Sequence, residues 1–174
     1  MKKVVVPLTV AGIDELLKSV EDYKKWQQEK ANVLLERLAA KGLEVANVKF
    51  GTAVYDGSPD VTVNVENRGT NVRAVVASGK TVLFIEFGTG VAYPDNHPQA
   101  AELGMIRGEY GLGHGKQRTW GYYGEPGTNG IVTDKEKDGL PLILTHGNPA
   151  NMPMYESVKQ LKEEIAAIAR EVFA

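Results

Sequence analysis

From Ala11 to Leu38, apolar residues return at steps of three and four. Ile13, Leu16, Leu17, Val20, Tyr23, Ala31, Leu34, Leu35 and Leu38 form one stripe, and Asp14, Glu15, Lys18, Glu21, Lys25, Glu29 and Glu36 occupy the other face. That period predicts a long amphipathic helix. Gly42 offers a stop signal. Ahead of the helix, residues 3–9 alternate weakly and are rich in valine, which predicts a short strand.

Residues 43–58 carry no clear period, and Asp56-Gly57-Ser58-Pro59 reads as a turn. Three β-rich runs follow. Val61, Val63 and Val65 alternate with polar residues. Val72–Ala77 forms the second run, behind the loop Asn67-Arg68-Gly69-Thr70-Asn71. Thr81–Phe87 forms the third, with Leu83, Ile85 and Phe87 on one face. Together they predict a three-stranded antiparallel meander. The helix stripe would cover its apolar face, giving two packed layers and an α+β fold.

Beyond Phe87 the pattern dissolves. Residues 94–139 are rich in glycine, with Trp120, Tyr122 and Tyr123 interleaved, and are expected to form one long loop insertion. Leu140–Thr145 could return as a last strand. Met154, Tyr155, Val158, Leu161, Ile165, Ile168 and Val172 then predict a second amphipathic helix, with Asn151 as N-cap and Pro153 in the first turn.

Composition narrows the function classes. A chain of 174 residues suits a single domain, 1–174. Formal net charge is -2, with no basic run, so a phosphate backbone is not an obvious partner. With no cysteine there is no disulfide, thiol catalysis or cysteine-held zinc. No stretch approaches the roughly 20 apolar residues that span a bilayer, and the run Val4-Val5-Val6-Pro7-Leu8 is too short to be expected to act as a secretory signal. A cytoplasmic protein without membrane contact is expected.

Candidate chemistry is sparse. His97, His114 and His146 could hold a metal with Asp95 or Glu102, as in a metal-dependent hydrolase, but no helical i, i+4 pair exists among them. Loop histidines bonded to backbone are the plainer reading. Gly111-Leu112-Gly113-His114-Gly115 lacks the strand, helix and lysine of a phosphate loop. No serine sits in a nucleophile elbow. Glu86 is a single carboxylate, expected to face solvent or pair with Arg73 across the meander. Neither a catalytic residue nor a cofactor is therefore assigned. Trp120, Tyr122 and Tyr123 mark either a binding surface or a local core under the loop. With Arg107, Lys116 and Arg118 nearby, they could also stack nucleic-acid bases.

Two stretches carry a family resemblance. One is Phe84-Ile85-Glu86-Phe87-Gly88-Thr89-Gly90. The other is Thr145-His146-Gly147-Asn148-Pro149-Ala150-Asn151-Met152-Pro153-Met154-Tyr155. The pair, behind a long amphipathic helix, resembles the neck or tail-completion proteins of long non-contractile-tailed phages. The resemblance covers most of the chain outside about 93–139. It implies a structural, non-enzymatic subunit of the head–tail joint. Such a subunit would contact copies of itself in a ring, connector or head-closure proteins and tail proteins, and would touch DNA at most in passing. The virion is the location so implied. Gly88 and Gly90 would let the chain leave the third strand, and Pro149 and Pro153 would fix the approach to the last helix, ahead of Met154. Trp120, Tyr122 and Tyr123, with Arg107 and Arg118, are the candidate contact residues.

Overall fold

The computed structural model describes residues 5–93, 96–111 and 114–174. It shows an α+β fold. Helix α1 spans Val10–Gly51, a length of about 63 Å at 1.5 Å per residue. Thr9 caps its start, its hydroxyl accepting from Gly12 N at 3.2 Å. Gly42 does not stop it. A Cβ there would meet Leu161 Cδ1 and Val75 Cγ2, both at 3.1 Å. The Gly42 carbonyl also accepts the Ser157 hydroxyl at 2.9 Å. This glycine is a point of close approach inside the helix, which sequence alone cannot tell from a terminus. The next turns bring Val45, Ala46 and Phe50 into the core. Residues 5–9, expected to be extended and paired, hold no strand, and residues 3 and 4 lie outside the described residues.

Strands β1 (Thr62–Asn67) and β2 (Arg73–Ser78) form an antiparallel hairpin, with Val63 opposite Ala77 and Val65 opposite Val75. They pack on the C-terminal half of α1, where Val63 joins Ala46, Phe50 and Ile85 in the central cluster. The expected third strand is instead a short helix, α2, Val82–Phe87. Five of its six residues are apolar, and such a brief run looks alike as a buried helix or a buried strand. Ile85, Glu86 and Phe87 are all buried, which a strand with one solvent face would not allow.

The glycine-rich segment is not one long loop. It contributes β3 (Trp120–Tyr123) and β4 (Ile131–Lys137), which flank β5 (Leu140–Thr145) in the order β3-β5-β4. Asp138 and Gly139 join β4 to β5 with φ of 55° and 78°. An Asp-Gly pair between β-rich runs is a strong hairpin signal. Helix α3 (Pro153–Phe173) runs back along α1, with Arg37 bonded to Glu171 at 2.7 Å and Phe173 against the edge of Trp26.

The accessible surface is 11578 Å², against roughly 8,300 Å² expected of a compact globule of this mass. Part of the exposed surface lies on the N-terminal half of α1. Leu8, Ile13, Leu17, Val20 and Tyr23 stand exposed, Leu17 at 58% and Tyr23 at 56%. The stripe expected to cover the sheet does so only from about Ala31 onward.

Candidate functional site

The two stretches that carried the family resemblance meet in space. Thr89 and Asn148 exchange backbone hydrogen bonds, Thr89 N to Asn148 O at 2.9 Å and Asn148 N to Thr89 O at 3.2 Å. Around this bridge lies a buried polar knot. Asn148 Oδ1 accepts Asp56 N at 2.6 Å. Asp56 accepts the Thr145 hydroxyl at 2.6 Å and Asn129 N at 2.9 Å. Asn151 reads both polar groups of Val54, accepting from its N at 2.8 Å and donating to its O at 3.0 Å. Buried polar groups must be paired in this way or they cost stability.

Glu86 forms the second half of the knot, and it corrects the expectation of a solvent-facing or Arg73-paired carboxylate. It is 5% exposed. Its carboxylate accepts Met154 N at 2.8 Å and Tyr155 N at 3.0 Å. It therefore caps α3 from a distance, satisfying two of the N–H groups that a helix start leaves open. The local N-cap is Met152, held at φ 55°, in place of the expected Asn151; Pro153 follows at the first helical position. His97 Nε2 donates to Glu86 Oε1 at 3.2 Å, while its Nδ1 accepts from Gln99 N at 3.2 Å. One tautomer satisfies both bonds. Arg73 instead bonds Asn67 Oδ1 and Gly69 O.

Beside the knot opens a cleft of about 760 Å³, lined by aromatic rings. Phe84 and Tyr110 stack at 5.9 Å on one wall. Tyr55, Trp120 and Tyr122 line it further. The Tyr122 hydroxyl donates to Asp56 O, and to Glu125 O at 3.2 Å. The phenols of Tyr55 and Tyr122 are both held above the usual tyrosine range, chiefly by burial and then by the Asp56 charge. They remain protonated donors at neutral pH.

The contact residues proposed from sequence do not form one exposed patch. The Trp120 ring is half-buried, with Gly90 and Gly147 leaving the room it occupies; a Cβ on either would meet it at 2.6 and 2.8 Å. Tyr122 is bonded into the knot, while Tyr123 stands 45% exposed. Arg107 is buried, its guanidinium donating to Thr89 O at 3.1 Å and to Tyr93 O. It braces the chain, so a solvent-facing role does not fit its position. Arg118 is exposed on the approach to β3.

Gly88 and Gly90 have φ of 78° and 75°, and Gly88 leaves room for Asn148 O and Ala150 N. Both glycines have the positive φ that favours glycine, but they follow helix α2 and not the expected third strand. Pro149 leads into the cap and Met154 packs on the core cluster.

The histidines are dispersed. His97 faces Glu86, His114 Nδ1 lies 3.0 Å from Glu109 O, and His146 Nδ1 lies 2.8 Å from the Thr119 hydroxyl. Among the described residues no three His, Asp or Glu side chains gather as a metal would need. Asp95 lies outside the described residues. Sequence reasoning missed Asp56 and Asn148 as organising residues, because a buried turn aspartate looks like any other turn signal. No protein-family model, curated protein or solved structure matches the chain.

Proposed function

We propose that the protein is a structural subunit of a phage head–tail joint, working by contact with copies of itself and with connector and tail proteins. The observation that carries this reading is the use made of the Glu-Phe-Gly-Thr and Pro-Ala-x-x-Pro-Met stretches. Glu86, Thr89, Asn148 and Asn151 are all consumed in holding α2, the 53–57 segment and the start of α3 together. They are spent on shape, as an assembly part requires. The bare stripe on α1 supports the same reading, since contiguous exposed apolar surface marks a contact to another protein. A ring would use two different faces of the subunit, head to tail.

Deletion of the coding sequence from the encoding phage or prophage tests this. The expected outcome is full heads and finished tails that fail to join, with joining restored by adding purified protein to the lysate. Infectious particles at normal yield from the deletion would sink the reading.

A further inference from the structure

We infer that β2 and α3 form the two walls of a groove that takes an acidic, extended peptide segment of a partner protein as a third strand of the β1–β2 sheet. The hydrogen-bond register shows which groups are left open. Arg68 N donates to Val72 O at 3.1 Å. That pair continues the β1–β2 register, in which Glu66 faces Ala74 and Asn64 faces Val76. In an antiparallel ladder, bonded pairs alternate with unbonded ones. Ala74 and Val76 therefore bond β1, while the N–H and C=O of Arg73, Val75 and Ala77 point away from it. β1 is the one strand beside β2, and no group among the described residues bonds these six. Such an edge is a template for a further strand.

The edge opens into a cleft of about 750 Å³, with residues 74–77 on one side. Tyr155, Val158, Lys159 and Lys162, on one face of α3, line the other side. Gly42 of α1 closes the floor between them, where Val75 and Leu161 both approach. A strand lies about 4.8 Å from its neighbour, so one extended segment is the unit that suits a space between a strand edge and a helix.

The lining selects the chemistry. Its apolar part includes Val76, Leu83, Leu103 and Val158, and its solvent-facing charges are Arg68, Lys159 and Lys162. The one carboxylate in the lining, Glu86, is buried and bonded to the start of α3. Arg68 and Lys159 hold surface pairs with Glu66 at 2.9 Å and Glu156 at 3.8 Å, weak enough to be exchanged for a new partner. Lys162 pairs with no carboxylate among the described residues. A segment that alternates apolar side chains with carboxylates matches this lining. The β2 edge of a second copy does not, because it arrives with the same three cations.

The groove rests on β2 and α3, so it stands or falls apart from the head–tail reading. Panning immobilised full-length protein with a displayed library of random decapeptides tests it. The enriched peptides should be rich in valine, isoleucine and threonine and carry aspartate or glutamate. A synthetic copy of the strongest should bind the variant Lys159→Glu, Lys162→Glu about tenfold more weakly, read by fluorescence anisotropy. Both side chains are exposed, so the variant should fold. With peptide bound, hydrogen exchange followed by NMR should slow at the Val75 and Ala77 amides and change little at Ala74 and Val76. N-methylation of alternate peptide amides should abolish binding in one register and spare it in the other. A library with no enriched peptide overturns the inference. So does binding that ignores the charge reversal, or that leaves Val75 and Ala77 exchanging as in the free protein. Protection of those two amides on concentrating the protein without peptide would overturn the choice of occupant, because a second copy would then fill the groove.

Discussion

Residues 10–27 and 34–50 of α1 share one apolar period, yet the chain covers only the second stretch. Ala46 is fully buried and Phe50 nearly so, against the β1–β2 hairpin and α2. Val20 and Leu17, on the same stripe, face solvent. Identical patterning therefore has two readings. A periodic stripe says that something must cover it, and it does not say whether the cover lies in the same chain. Here α3 begins at Pro153 and ends at Phe173, and its last ring reaches Trp26. Twenty-one residues cannot shield a helix of 42.

The sharpest way to break that comparison is one chemical change made on both halves. Ala46→Asp puts a charge among Phe50, Val63 and Ile85 with no partner. It should cost at least about 4 kcal/mol and leave little folded protein. Circular dichroism with urea titration reads this directly. A folded Ala46→Asp variant with a normal midpoint would mean that the cluster is not the core.

Next in size is Glu86→Ala. It leaves Met154 N, Tyr155 N and His97 Nε2 without their acceptor in a buried place. The expected loss is about 3 kcal/mol, read as a lower denaturation midpoint with an unchanged slope. Glu86→Gln should lose less, since one oxygen can still accept. Equal stability of the alanine variant and wild type would show that α3 does not depend on this cap.

Glu86 also shows where sequence reasoning reached and where it stopped. The two long helices were legible because their period persists over many turns. The β1–β2 hairpin was legible through its turn residues. The run Val82–Phe87 was too short and too uniformly apolar for period to decide between helix and strand. A strand there places Glu86 toward solvent or beside Arg73. As a helix it lies buried, and its carboxylate turns to the start of α3. Strands β3 and β4 were missed because glycines and aromatics dominate there, although Asp138-Gly139 gave the hairpin signal. The knot of Asp56, Asn148 and Asn151 joins positions about 90 residues apart. No local pattern encodes such a pairing.

A smaller effect separates the cleft from the core. Tyr122→Phe removes the hydroxyl bonded to Asp56 O and Glu125 O, for about 1 kcal/mol at neutral pH. The sign of its pH dependence follows from the raised phenols of Tyr55 and Tyr122. The folded chain keeps these protons to higher pH than the unfolded chain does. Stability is thus intact below about pH 10 and declines above it, as unfolding releases protons. Tyr122→Phe should make that alkaline decline shallower. An unchanged slope between neutral and strongly alkaline pH would show that Tyr122 is not among the groups responsible.

The smallest change in stability belongs to Leu17→Asp, the counterpart of Ala46→Asp on the bare half. Leu17 is 58% exposed, so folding of the monomer should shift by less than about 0.5 kcal/mol. The titration must be run dilute, because any self-association through α1 stabilises the folded chain by mass action. Under those conditions wild type and variant should unfold together. A loss of more than about 2 kcal/mol in dilute solution would mean that the chain covers this half of the helix itself, and the contrast between the two stretches of α1 would disappear.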